Sequence, residues 1–273
     1  MINIKNLGFS YGEQIVLKDI TMRLEEGRIY GLLGENGVGK TTLLTLLSGL
    51  KDAKAGEINI DGHLPYKREP SLLTEIYYLC DEVAERNMKA IEYAKNFGKF
   101  WERFDINKFV EVMEVMDGDI NQKMNRMSFG QLKKTYIAFA LACNTKYLFM
   151  DEPTNGLDIP SKAQFRKAIM KYTREDSTLL ISTHQVRDLE NIIDPIIILD
   201  RQDVLLNASI EEISRKLFFD YSNEKKDGVL YSEMIPGSCV QVSVNTGSEE
   251  SKVNIEALFN TVHVHKELIK KMF

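Results

Sequence analysis

The 273-residue sequence predicts an α/β fold: a mixed sheet core, an N-terminal antiparallel β subdomain, a small helical insertion and a short α+β C-terminal tail. Three observations predict it. Within residues 1–62, Ile20, Met22 and Leu24 alternate with polar residues, as do Ile58 and Ile60 before Asp61-Gly62. That period of two belongs to half-buried antiparallel strands. Apolar runs at Ile29–Leu33, Tyr147–Met150, Leu179–Ile181 and Ile196–Leu199 have helical stretches between them, the pattern of parallel strands covered on both faces. From about Glu82 to Arg126 the chain is charged and rich in Met and aromatics, with Val110, Val112, Met113 and Met116 at helical spacing and no strand signal.

The remaining elements follow in order. Leu43, Leu44, Leu47 and Leu50 predict a helix after a Gly-rich loop. Ser209-Ile210-Glu211-Glu212 reads as a helix N-cap. Beyond it, Lys225–Gly228 reads as a turn, Val229–Tyr231 and Cys239–Val244 as strands, and Leu258-Phe259 with Leu268-Ile269 as the packing face of one final helix. The expected division is one large domain over residues 1–210, with the helical subdomain at about 82–130, and an accessory segment over 211–273.

Bulk properties narrow the function. Lys and Arg total 35 against 40 Asp and Glu, a formal charge of −5, so no nucleic-acid partner is expected. No apolar run approaches the ~20 residues that span a bilayer. The first residues, Met1–Asn6, lack the apolar core of a signal peptide. Three distant cysteines, Cys80, Cys143 and Cys239, read as free thiols of a reducing compartment. His63, His263 and His265 have no motif around them and read as surface residues.

Chemistry enters at Gly34-Glu35-Asn36-Gly37-Val38-Gly39-Lys40-Thr41, which fits G-x-x-x-x-G-K-[ST] between a strand and a helix. Glycines let backbone N–H groups converge on phosphate oxygens. Lys40 adds a positive charge, the Thr41 hydroxyl suits Mg²⁺, and the helix dipole favours an anion at its start. This is the cradle of a P-loop NTPase, common to kinases, GTPases and ATPases.

Tyr147–Glu152 is an apolar strand ending in two carboxylates; Asp151 at its tip suits Mg²⁺, and Glu152 is placed to polarise a water. Pro153-Thr154-Asn155-Gly156-Leu157-Asp158 follows directly. Ser128-Phe129-Gly130-Gln131 precedes this strand, and Ser182-Thr183-His184 ends a later one. These five motifs, in this order over residues 1–210, resemble the nucleotide-binding subunits of ABC transporters. The resemblance implies that Gly34, Asn36, Gly37, Gly39, Lys40, Thr41 and Thr42 hold the phosphates. It implies that Thr41 and Asp151 hold Mg²⁺, that Glu152 is the general base or the residue that orients the water, and that His184 contacts the γ-phosphate and senses its presence. Tyr11 matches the aromatic that stacks on adenine. Ser128, Gly130 and Gln131 match the signature that completes the ATP site of a second subunit, and Asp158 matches the residue that communicates across that dimer.

Two departures stand out. Where the family carries a Mg²⁺-binding glutamine, this chain has Asp81-Glu82. Either carboxylate suits Mg²⁺; equally, both suit the N-terminus of a following helix. Phe129 replaces a signature glycine. The insertion, with Phe100-Trp101-Glu102-Arg103-Phe104, is similar to that of ABC-2 type bacterial exporters; its aromatics suit either a permease contact or the insertion's own core.

The expected function is therefore ATP hydrolysis that energises a separate membrane permease, peripheral on the cytoplasmic face of the membrane and paired with a second ATPase subunit. Antibiotic, peptide or lipid-like cargo is expected to be exported. An importer subunit, a non-transport ABC ATPase and a binding-only regulator are the alternatives.

Overall fold

The computed structural model describes residues 1–222, 228–247 and 250–273. β1 (Ile2–Tyr11) and β2 (Gln14–Leu24) form a hairpin, and β3 (Ile29–Leu33) leads into the phosphate loop and α1 (Lys40–Leu47). β4 (Ala55–Ile60) returns beside β1, so β2-β1-β4 is an antiparallel sheet with Ile2 opposite both Leu24 and Ile60. A short α2 (Pro70–Leu73) precedes β5 (Ile76–Leu79). Three helices follow: α3 (Ala90–Gly98), α4 (Ile106–Val115) and α5 (Phe129–Ala142). Then come β6 (Tyr147–Asp151), α6 (Ile159–Tyr172), β7 (Thr178–Thr183), β8 (Ile196–Asp200) and β9 (Asp203–Ala208). The tail folds as α7 (Ile210–Lys216), β10 (Leu217–Ser222), β11 (Tyr231–Ile235), β12 (Ser238–Val244), α8 (Ile255–Val264) and α9 (Lys266–Met272).

The main sheet runs β5-β6-β7-β3-β8-β9, parallel except for antiparallel β9. Period-two alternation splits its residues between two cores. Leu179, Ile181, Ile196 and Ile198 face one core, shared with the insertion and the tail. Leu180, Ile197 and Leu199 face the other, against the N-terminal sheet and α1. The tail carries its own antiparallel sheet, β10-β12-β11.

Several expectations change. α1 stops at Leu47 because Gly49 turns the chain at φ 67°, so Leu50 lies outside the helix and 53% exposed. The single final helix is two, broken at His265 (φ −120°, ψ 43°). The strand expected from Val229 begins at Tyr231. Of the expected turn at 225–228, residues 225–227 lie outside the described residues. His263 and His265 are half-buried rather than on the surface: the Nδ1 of His263 sits 2.8 Å from Phe259 O, and the Nε2 of His265 sits 2.7 Å from Leu230 O. The ring of Phe259 lies 4.1 Å from that of His263, centre to centre. His63 stays partly exposed beside Glu69.

The aromatics of the insertion divide. Trp101 donates its indole N–H to Ile76 O at 3.0 Å. Phe139 lies at the centre, with the rings of Tyr77, Tyr93, Trp101 and Phe104 between 4.9 and 5.7 Å away. Such pairs add roughly 0.5–1.5 kcal/mol each beyond the area they bury. Trp101 and Phe104 are therefore core residues; Phe100, 61% exposed, faces solvent.

A polar knot fastens the two sheets together. Asp61, just beyond β4, accepts from the Met1 ammonium at 2.6 Å, from Lys146 at 2.7 Å and from Tyr147 Oη at 2.7 Å. Burial pushes its pKa up, but these donors outweigh burial and hold it well below the ordinary carboxylate range. A depressed folded pKa gives stability that is complete above the unfolded value of about 3.9 and is lost as pH falls through the folded value. Asp61→Asn is therefore expected to lower urea stability at pH 7, with the gap to wild type closing as the pH falls below that of a free aspartate. A gap that is unchanged at acid pH would contradict this account.

Candidate nucleotide site

Parallel pairing brings the chemistry to one edge. Leu33 pairs with Thr183, Asp151 with Ser182 and Leu79 with Met150. The residues just past these strands, Gly34, His184, Glu152 and Asp81, therefore emerge side by side at the carboxyl ends of the sheet, where open α/β sheets bind ligands.

The loop between β3 and α1 needs its glycines. A Cβ on Gly34 would meet Leu199 O at 2.6 Å, and Gly39 caps α1 at φ 110°, a conformation L side chains rarely adopt. Lys40, at the first turn of α1, is buried; its Nζ donates to Gly34 O at 2.7 Å and to Glu35 O at 3.1 Å. Burial holds its pKa below that of a free lysine, against the upward pull of Glu152 and Asp151. The Thr41 hydroxyl donates to Asp151 Oδ2 at 2.6 Å, and Ser182 donates to Asp151 Oδ1. Tyr78 Oη adds a longer contact to Oδ2 at 3.4 Å.

Glu152 is nearly buried, its side chain 12% exposed. Its Oε1 lies 3.7 Å from Lys40 Nζ and its Oε2 3.0 Å from His184 Nδ1. The backbone there sits at φ 44°, unusual for a non-glycine residue and further disfavoured by the proline that follows. Its N–H donates to Ser182 O at 3.2 Å, and its carbonyl accepts from Asn155 N–H at 3.1 Å. Strain of this kind, of order 1–3 kcal/mol, persists where surrounding contacts over-determine it, and it clusters at functional sites.

A cleft of about 360 Å³ gathers Tyr11, Asn36, Gly37, Gly39, Lys40, Thr41, Thr42, Asp81, Asp151 and Glu152. Gly34 and His184 line an adjoining groove of about 520 Å³ that runs to α8. Tyr11 is 46% exposed; its hydroxyl lies 3.3 Å from Thr42 Oγ1, and Lys51 Nζ lies 4.7 Å over its ring. Asp81 sits at the cleft with both carboxylate oxygens engaged, by Lys133 at 3.1 Å and by Asn155 at 3.2 Å. It is not a helix cap, nor is Glu82: the next helix starts at Ala90, with Lys89 before it.

Ser128, Gly130, Gln131 and Asp158 do not line this cleft. Ser128 caps α5 by accepting from Gln131 N–H at 3.3 Å, while Gln131 Oε1 accepts from Ser128 N–H at 2.9 Å. Asp158 caps α6 by accepting from Ser161 N–H at 2.9 Å. The edge of the Phe129 ring lies against the position a Cβ on Gly156 would take, with Cδ1 and Cε1 each 2.4 Å from it. Sequence reasoning missed Ser182, Tyr78 and Lys133. Ser182 stood within the Ser-Thr-His run; the other two carry no local signal.

The ABC transporter family matches residues 17–155, and the chain belongs to the ATP-binding subunits of that family. The ATP-binding protein NatA of Bacillus subtilis is 29% identical over 222 residues, covering 79% of this chain and 87% of its own length. The lantibiotic transport ATP-binding protein SrtF of Streptococcus pyogenes is 30% identical over 196 residues, covering 71% and 84%. The petrobactin import ATP-binding protein YclP of B. subtilis is 27% identical over 227 residues, covering 78% and 88%. A dimeric ATP-binding cassette in a post-hydrolysis state, bound to ADP and phosphate, shares the fold at a TM-score of 0.67 and 24% identity, covering 77% of this chain and 98% of its own.

Proposed function

We propose that this chain hydrolyses ATP and passes the resulting motion to a separate membrane permease. The observation that carries the reading is the convergence of Lys40, Glu152 and His184 beside the Thr41–Asp151 pair, at the mouth of a phosphate-binding loop. Lys40 and the loop N–H groups bind the phosphates. Glu152 accepts the proton of an attacking water, and His184 orients the Glu152 carboxylate and meets the terminal phosphate.

Thr41 and Asp151 offer hard oxygen donors that fit Mg²⁺. Among the described residues no cluster of three or more His, Cys, Asp or Glu could hold a metal ion; in this reading Thr41 and Asp151 would hold Mg²⁺ together with the nucleotide. When bound, Mg²⁺ neutralises charge on the phosphate oxygens. Ser128, Gly130 and Gln131 complete the cleft of a second subunit, and Asp158 lies at that contact.

No helix among the described residues is long and apolar enough to cross a membrane, so in this reading translocation belongs to a separate permease subunit at the membrane. We propose export of antibiotic, peptide or lipid-like cargo, supported by the character of the insertion and by the lantibiotic-transport relative. The petrobactin-import relative favours the opposite direction. The test is MgATP hydrolysis by the purified chain, then vesicle transport with the membrane protein that binds it. ATP-driven accumulation in inside-out vesicles supports export; in right-side-out vesicles loaded with ATP, accumulation would mean import.

Adenine stacking on Tyr11 gives a local prediction. Tyr11→Ala is expected to raise KM for ATP by roughly tenfold, within the range of about 1–3 kcal/mol for stacking of one base. Tyr11→Trp should stay near wild type. An unchanged KM in Tyr11→Ala would remove the residue from the site.

A further inference from the structure

We infer that Lys133 and Asp81 form a charge-balancing couple that sets the electrostatics of the nucleotide cleft from the helix behind it. The inference rests on the ATP-binding reading above. Lys133, on α5, is 0% exposed. A lysine that deep is expensive unless its ammonium is paired and hydrogen-bonded. Its Nζ donates to Asp81 O at 2.7 Å and to Asp81 Oδ1 at 3.1 Å, and lies 5.9 Å from the centre of the Phe129 ring.

Asp81 is the other half. It lines the cleft with Thr41, Asp151 and Glu152. Left alone, it would be a third carboxylate in a cavity meant for a polyanion. Lys133 cancels that charge from behind, and Asn155 Nδ2 holds both carboxylate oxygens from the side at 3.2 Å. Asn155 also donates its N–H to Glu152 O at 3.1 Å, so the couple touches the loop that carries the proposed base. With its oxygens so engaged, Asp81 acts as a positioning residue rather than as a metal ligand. Lys133 acts through it without reaching the nucleotide.

Charge balance makes a signed prediction that a simple packing defect does not. Binding of a fluorescent ATP analogue is measured without Mg²⁺, alongside thermal melting, for Lys133→Met, Asp81→Asn and the double variant. Lys133→Met leaves a net negative charge, and affinity should fall roughly tenfold, the size expected of one unit charge across a partly solvated cleft. Asp81→Asn leaves a net positive charge, and affinity should rise. The double variant should return near wild type.

Two single variants that shift affinity in the same direction would overturn the inference, as would a double variant no better than Lys133→Met. So would a large rise in the Mg²⁺ needed for hydrolysis by Asp81→Asn, which would make Asp81 a metal ligand. If Lys133→Met does not fold, Asp81→Asn decides: tighter binding supports the couple and unchanged or weaker binding refutes it. A wild-type chain that binds no ATP would instead refute the nucleotide reading itself.

Discussion

Glu152→Gln is expected to bind ATP and to hydrolyse it roughly 10²–10⁴ times more slowly than wild type, the usual contribution of a positioned general base. The carboxylate is held on two sides, with Oε1 3.7 Å from Lys40 Nζ and Oε2 3.0 Å from His184 Nδ1. Glutamine keeps the size of the side chain and one acceptor oxygen but loses the charge and the proton affinity. Two effects on binding then compete. Loss of the contact with Lys40 loosens the lysine slightly, while loss of a negative charge beside the phosphates favours the nucleotide. The second should win, because Lys40 keeps Gly34 O and Glu35 O as partners. ATP affinity equal to or better than wild type is therefore the expected companion of lost turnover. Single-turnover hydrolysis and equilibrium binding on the same preparation check it. Equal losses in both would make Glu152 a structural anchor for Lys40 instead.

Lys40→Ala should act in the opposite way, removing binding first. Lys40 is a buried cation in the phosphate-binding loop, with Glu152 and Asp151 close enough to raise its pKa against burial. Removing it deletes a charged hydrogen-bond donor worth roughly 1.5–3 kcal/mol, about 10- to 100-fold in affinity. It also leaves those two carboxylates uncompensated where the phosphates must enter, which pushes the loss toward the upper end. The fold should tolerate the change, since Leu43, Leu44 and Leu47 still bury α1. Titration calorimetry with ATP, beside a melting curve, checks both halves. Wild-type affinity in this variant would remove the phosphate loop from the account.

Much of this was legible in the sequence because it is local. The glycines around Asn36, the apolar strand into Asp151-Glu152 and the Ser-Thr-His run each carry their geometry in a few neighbouring residues. Parallel pairing then brings their ends together. What was illegible depends on distant partners. Nothing near Lys133 in sequence marks it as fully buried, because its partner Asp81 lies on another element. Phe129 looked like an intruder in a glycine position; it has a seat because Gly156 leaves room for its ring. His265 reads as a surface residue in sequence because Leu230, whose carbonyl meets its ring, lies 35 residues away. Leu50 fitted a helical spacing, but Gly49 at φ 67° ends the helix before it.

The most direct test of the shared-site ATPase is the mass of Glu152→Gln in solution, by light scattering, with ATP and with ADP. If Ser128, Gly130 and Gln131 complete the cleft of a second copy, trapped ATP should double the mass and ADP should leave it single. A mass that stays single under saturating ATP would contradict self-pairing and leave the chain to act with a different ATPase subunit or alone.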